Sequence, residues 1–180
     1  FMDDDIQVPP TRNAFDATKF NKRKQCCFVE VGLHYEFANQ NNRNFQIDPE
    51  MWPDVVKRAL DLAKEMAISE GLDPNLYRGV HCNYYRDGTC GITPHADDEA
   101  QLVAGMPIVS VTLLAGTKAP RAFQIYNKPK PGGKLTKQGM VAEVDLNHGD
   151  MLVMGGTMQR DYFHGIKTST SKKLQDARRL

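Results

Sequence analysis

The sequence predicts a mainly β domain, a barrel or jelly roll with flanking helices. Three observations carry that prediction. A single amphipathic helical pattern occurs early, between residues 48 and 71. Short β-rich runs follow it to the end of the chain, separated by Pro, Gly and Asp turns. The chain has 180 residues, which suits one compact domain able to bury a core.

Residues 1–24 are polar, with Pro9-Pro10 and a basic cluster at Lys19, Lys22, Arg23 and Lys24, and read as an arm. Cys27 to Phe37 is rich in β-formers and reads as a strand, with Leu33, Tyr35 and Phe37 on one face. Asn39 to Asn44 is a loop. Asp48-Pro49-Glu50 offers a helix start: a cap, then Pro in the first turn, then an acid. Pro53 offers a second start. Val55, Val56, Ala59, Leu62, Ala63, Met66 and Ala67 recur at helical spacing up to Gly71. That stripe needs a sheet or another helix to cover it. Asp73-Pro74-Asn75 is a turn. Arg78 to Tyr85 reads as a strand, with His81, Asn83 and Tyr85 facing one way and Val80, Cys82 and Tyr84 the other. After the Asp87-Gly88 turn, strands are expected at Ile108–Leu114, Ala122–Tyr126, Met140–Val144, Met151–Met154 and Phe163–Lys167.

Hydrophobic residues make up 41% of the chain and charged residues 25%, with a formal net charge of +1. That is an ordinary soluble composition, not a disordered or strongly basic one. Nucleic acid stays open as a partner, because a local basic face suffices. Cys26, Cys27, Cys82 and Cys90 form no Cys-x-x-Cys, which argues against structural zinc. Nothing suggests a disulfide framework, so an intracellular, reducing compartment is expected. No run approaches the length of a membrane span, and the acidic start lacks a secretory pattern. No membrane partner is expected, and a monomer is the expectation for assembly. A start on Phe1 suggests a segment of a longer chain or an added remnant. Nothing repeats internally.

The chemistry centres on His95-Ala96-Asp97. Non-haem iron(II) oxygenases hold their metal with two imidazoles and one carboxylate on one face, leaving other positions open. Residues two apart in an extended segment project to the same side, so His95 and Asp97 can grip one ion together. The second imidazole must come from far along the chain, and His164, in a strand pattern of its own, is the best candidate. His34, His81 and His148 are competitors; His34 with Glu36 and His148 with Asp150 share the spacing but not a comparable setting, and His81 has no carboxylate two residues away.

Asn83-Tyr84-Tyr85-Arg86-Asp87-Gly88, His95-Ala96-Asp97-Asp98-Glu99 and Pro107-Ile108-Val109-Ser110-Val111-Thr112 together resemble AlkB-type 2-oxoglutarate/iron(II) dioxygenases of the alkylation-repair branch. The resemblance runs from Arg23 to the last residue. It implies a double-stranded β-helix in which residues 1–24 are an arm, 25–75 an N-terminal α/β lid and 76–180 the jelly-roll core. It also implies Fe(II), 2-oxoglutarate and O2 as cofactors. His95, Asp97 and His164 would be the metal ligands. Asn83 and Tyr85 match the family's Asn-x-Tyr, which hydrogen-bonds 2-oxoglutarate. A far carboxylate needs a fixed cation, usually Arg. The family supplies it from an Arg-x-Asn-x-Thr-x-Arg strand after the second His. Arg179-Leu180 fits its first two positions, with Arg178 the register-shifted alternative. The second Arg, the usual far-carboxylate partner, and the rest of the barrel-closing strand would lie beyond Leu180.

An enzyme acting on a base takes it out of the stack and holds it in a snug pocket, often against aromatics. Gly32, Leu33, Tyr35 and Phe37 match the family's Gly-Leu-x-Tyr-x-Phe, which implies that Phe37 stacks on the base and Tyr35 lines the pocket. The same alternation equally suits a hydrophobic core face. Asp98 and Glu99 suit an exocyclic amine or a cationic methylated base, and they equally suit a solvated acidic turn. Lys128, Lys130, Lys134 and Lys137 with Arg121, and separately Lys22, Arg23 and Lys24, are candidates for phosphate contacts or plain solubilising charges. The resemblance implies oxidative demethylation of N-alkylated bases such as 1-methyladenine and 3-methylcytosine in DNA or RNA, releasing formaldehyde, succinate and carbon dioxide. Two rivals are the same chemistry on an RNA mark or a protein side chain, and a non-catalytic β-barrel binding module.

Overall fold

The computed structural model describes residues 23–35, 43–46, 48–116, 119–130, 133–136, 139–175 and 177–180. The chain forms two compact units, residues 1–84 with 99–106 and residues 85–98 with 107–180.

In the first unit, β1 (Lys24–Val29) is the central strand of three. It runs parallel to β2 (Arg43–Gln46) and antiparallel to β3 (Gly79–Tyr84). Its run of Cys26, Cys27, Phe28 and Val29 is buried on both faces, as a central strand requires. The expected strand from Cys27 to Phe37 therefore stops at Val29. The chain turns there: the Leu33 N–H donates to the Glu30 carbonyl, and Gly32 takes a left-handed φ of 87° that residues with a Cβ rarely adopt. Phe37 lies outside the described residues.

Helix α1 (Asp54–Ser69) begins at the second of the two starts, after Pro53. The Asp48-Pro49 start instead forms a one-turn 3-10 segment, Pro49–Met51, with the Asp48 side chain accepting from the Glu50 N–H. Val56, Leu60, Ala63 and Ala67 define the buried stripe, joined by Met66; Leu60 replaces Val55 and Leu62 at its centre. At the far end Gly71 has φ 68°, its N–H donates to Ile68, and the Leu72 N–H donates to Ala67. That pattern satisfies two carbonyls the helix would otherwise leave open.

The second unit is mainly β. Strands β4 (Ile92–His95), β10 (Tyr162–Ile166), β7 (Arg121–Asn127) and β8 (Met140–Leu146) form one antiparallel sheet in that order. The expected strand Ile108–Leu114 is divided into β5 (Ile108–Val111) and β6 (Leu114–Gly116). The cause is a change of partner. β5 pairs with β9 (Met151–Met154), and the pairing continues through Thr112 to Gly149 and Asp150. Leu113 then pairs with Leu180, and β6 pairs with β11 (Ala177–Arg179). An isolated bridge from Tyr85 to Arg179 adds to β11 on its other side. Phe123, Leu146 and Ile166 from the first of these sheets share a core with Tyr85, Cys90 and Met154. Antiparallel sheets that share one core fit the expected jelly roll.

Candidate metal centre

His95 is the last residue of β4 and stands directly opposite His164 of β10 in the antiparallel register. The pair can form because β4 and β10 approach closely. A Cβ built on Gly165 would lie 2.7 Å from the Ile92 carbonyl oxygen and 3.0 Å from the Pro94 nitrogen, so only glycine fits beside His164. The two rings are 4.5 Å apart between centroids. Asp97 follows β4 by two residues and turns back towards both: its Oδ1 is 3.4 Å from His95 Nε2 and its Oδ2 is 3.3 Å from His164 Nε2. Among the described residues this is the one group of three or more His, Cys, Asp or Glu side chains whose ligand atoms all lie within 4.8 Å of one another.

Each side chain is held in place. His95 Nδ1 lies 2.9 Å from the Thr93 carbonyl oxygen. A carbonyl only accepts, so Nδ1 carries a proton, and Nε2 is the ring nitrogen that faces Asp97. His164 is 5% exposed and stacks on Phe123, with centroids 5.2 Å apart and planes 17° from parallel. Its buried Nδ1 has no hydrogen-bond partner among the described residues. Burial works to raise the Asp97 pKa, but hydrogen bonds from His164 and His95 and their positive charge outweigh it. The carboxyl is held well below the ordinary carboxylate range. Two nitrogens and one oxygen thus converge on a common point, a donor set that fits a divalent first-row metal such as iron(II).

Arg179 projects from β11 and is 6% exposed. Its Nη2 donates to Thr112 Oγ1 at 3.1 Å, while its buried Nη1 has no partner among the described residues. Burial pulls the guanidinium pKa down, as does the nearby Arg121 charge, against a raising effect from Tyr85. A buried cation with an open N–H edge fits a carboxylate ligand. Two guanidiniums lie over the Tyr85 ring, with Arg179 Cζ 5.8 Å and Arg121 Cζ 6.0 Å from its centroid.

Two of the candidate phosphate contacts are corrected by burial. Arg121 is 2% exposed and donates to the carbonyls of Asp87, Cys90 and Lys167 at 3.1, 2.8 and 2.8 Å. It is an internal clamp on the turn before β4 and on the end of β10. Arg23 is also buried, and donates to Gln25 Oε1 at 2.7 Å and to Asn83 Oδ1. Lys130 and Lys134 are exposed, and Lys128 is half-buried with its Nζ on the Gln159 carbonyl. Lys22 and Lys137 lie outside the described residues.

The other expected site residues are placed separately. Asn83 belongs to the first unit and Tyr85 to the second. Within the first unit, the Tyr35 hydroxyl donates to Glu99 Oε2 at 3.3 Å, and the Tyr35 ring lies 5.4 Å from His81. Asp98 is exposed. His148 sits in a turn and accepts the Leu114 N–H at Nδ1. Sequence reasoning missed the Gly165 contact, the Arg121 clamp and the Phe123 stack. The dipeptide His164-Gly165 is a local signal for the first of these, and the other two depend on distant segments.

The chain belongs to the 2OG-Fe(II) oxygenase superfamily, whose family model matches residues 8–180. Within that superfamily its likeness is to AlkB-type proteins. It is 28% identical over 144 residues to the DNA oxidative demethylase ALKBH2 of Homo sapiens, a match covering 80% of this chain and 49% of that protein. It is 32% identical over 92 residues to the alpha-ketoglutarate-dependent dioxygenase alkB homolog 3 of Mus musculus, covering 50% of this chain and 30% of that one. An RNA replication protein of Grapevine virus A is 25% identical over 183 residues, covering 94% of this chain and 9% of the viral protein. The chain spans about half the length of the ALKBH2 proteins it matches. Membership implies Fe(II), 2-oxoglutarate and O2 as cofactors.

Proposed function

We propose that this chain is an iron(II)/2-oxoglutarate-dependent dioxygenase that demethylates N-alkylated nucleic-acid bases such as 1-methyladenine and 3-methylcytosine. The observation that carries the reading is the convergence of His95, Asp97 and His164 in a jelly-roll unit of a 2OG-Fe(II) oxygenase superfamily member. In this reading the three side chains hold the metal. Arg179 and Tyr85 orient 2-oxoglutarate, and Asn83 is assigned to it by the Asn-x-Tyr pattern. When bound, the iron, 2-oxoglutarate and oxygen supply the oxidising power that hydroxylates an N-methyl group, which then leaves as formaldehyde. The chain's own contribution is orientation: His95 Nε2 turned towards Asp97 and the metal position, His164 held on Phe123, and a buried cation for a co-substrate carboxylate. Tyr35, Phe37, Asp98 and Glu99 are assigned to the base. Phe37→Ala should impair base capture more than uncoupled 2-oxoglutarate decay; equal loss of both would make Phe37 a core residue.

RNA as the carrier of the methylated base is a second reading. It is favoured by the relative named an RNA replication protein, which matches 94% of this chain. One experiment addresses both readings. The protein is mixed anaerobically with Fe(II) and 2-oxoglutarate, and the weak visible charge-transfer band is sought. Oxygen and a panel of methylated DNA and RNA oligonucleotides follow, with formaldehyde measured. A band with formaldehyde from one class of oligonucleotide supports the reading and names the substrate. A band without formaldehyde points to another substrate, and no band points to a binding module without turnover. Asp97→Ala should abolish formaldehyde release with the fold retained; an active variant would remove Asp97 from the metal.

A further inference from the structure

Asp97 must present its carboxylate to two imidazoles, yet it lies beyond the end of its strand. The β4–β10 ladder pairs Ile92 with Ile166 and His95 with His164, and residues 96–99 have no regular structure. A ligand on such a segment needs an external anchor, because its backbone N–H has no ladder acceptor. That anchor is a side chain. Asp97 N–H donates to Gln159 Oε1 at 2.9 Å. Gln159 lies in α2 (Met158–Asp161), the single turn that leads directly into β10 and His164. Its amide orientation is dictated by chemistry: an N–H can only donate to the oxygen, which leaves Nε2 to face Met154 Sδ at 3.7 Å. Its own carbonyl accepts from Lys128 Nζ at 2.8 Å. Gln159 is thus held from both sides.

We infer that Gln159 is a positioning residue for the metal centre: it acts through Asp97 as a substitute strand acceptor, joining the carboxylate ligand to the turn that carries the second imidazole. The Gln159 hydrogen bond goes to the Asp97 backbone and not to its carboxylate. Its effect is on how long and how well Asp97 is held in the ligating pose. The inference rests on the metal-centre reading above, and its test is chosen to separate the two.

The test is an oxygen-free titration of the purified chain with Mn(II), a redox-inert probe, alongside the thermal midpoint of the metal-free protein. Wild type should bind one Mn(II), and Asp97→Ala should not. Gln159→Leu removes the acceptor at similar volume and should bind Mn(II) about 10- to 100-fold more weakly, the usual effect of losing a ligand's outer support. Its metal-free midpoint should stay near that of wild type. Gln159→Glu keeps an acceptor oxygen at the same reach and should restore most of the affinity. A merely structural role would lower the midpoint and leave the affinity of the folded fraction unchanged. Wild-type affinity in Gln159→Leu, or equal losses in the Leu and Glu variants, overturns the inference while leaving the metal centre standing. Absence of Mn(II) binding in wild type overturns both. Should the Leu variant not fold, Gln159→Ala enters the same comparison.

Discussion

Gly165→Ala tests whether close approach of two strands is what brings the two imidazoles together. Gly165 has no left-handed φ, so the substitution probes space alone. The added methyl would lie 2.7 Å from the Ile92 carbonyl oxygen, 3.0 Å from the Pro94 nitrogen and 3.2 Å from Pro94 Cα. All three are backbone atoms, so no side chain can swing away. Ordinary contact begins at 3.4 Å, which asks β4 to retreat by about 0.7 Å from β10. Overpacking of this kind costs about 1–3 kcal/mol. For a chain of this length that lowers the thermal midpoint by roughly 2–12 °C. The displacement also matters for ligation, because β4 carries His95 and metal–ligand distances hold within about 0.2 Å. Thermal denaturation of the metal-free protein and an anaerobic Mn(II) titration read the two effects separately. Gly139→Ala is the control, since its Cβ would meet nothing closer than 3.9 Å. A Gly165→Ala protein with wild-type midpoint and wild-type Mn(II) affinity would show that β4 and β10 do not need the glycine.

Arg121→Met should destabilise the chain by about 3 kcal/mol or more, because three backbone acceptors lose a buried charged donor. Denaturant unfolding checks it. Arg121→Lys should recover only part of the loss, since one ammonium cannot span three carbonyls. Arg179→Met should weaken 2-oxoglutarate about tenfold or more, the worth of a charged hydrogen bond, in the concentration dependence of 2-oxoglutarate decay. An unchanged dependence would remove Arg179 from the co-substrate. The Asp87 carboxyl is held below its ordinary pKa chiefly by the Thr89 hydroxyl, with the Thr89 N–H and Arg86 adding to this against a smaller opposing effect of burial. Its stabilisation is fully present above the unfolded value of about 3.9 and is lost as pH falls through the lower folded value. Asp87→Asn should therefore flatten the acid side of the stability profile below about pH 4. An unchanged acid limb would mean that Asp87 does not contribute to it.

Local chemistry made much of the chain legible before any coordinates. The helical period of the stripe that ends at Ala67, the Gly71 stop and the strands expected at Ala122–Tyr126, Met140–Val144 and Met151–Met154, observed as Arg121–Asn127, Met140–Leu146 and Met151–Met154, follow from side-chain spacing and turn residues acting over a few positions. The pairing of His95 with Asp97 belongs to the same kind of information, because a two-residue spacing is itself a statement about direction. His164 was within reach as a distant partner, but most contacts decided by a partner far along the chain were not. Gly32 ended a strand that composition alone extends to Phe37, and the split between β5 and β6 depends on two different neighbouring strands. Arg121 reads as one more cation beside a lysine-rich loop until its three carbonyl acceptors, contributed by two distant segments, draw it inside. Gln159 carries no signal at all in its own neighbourhood. Its role exists only because the chain returns beside residue 97 after a long excursion. Spacing can state which way a side chain points, but only the folded backbone states what it meets there.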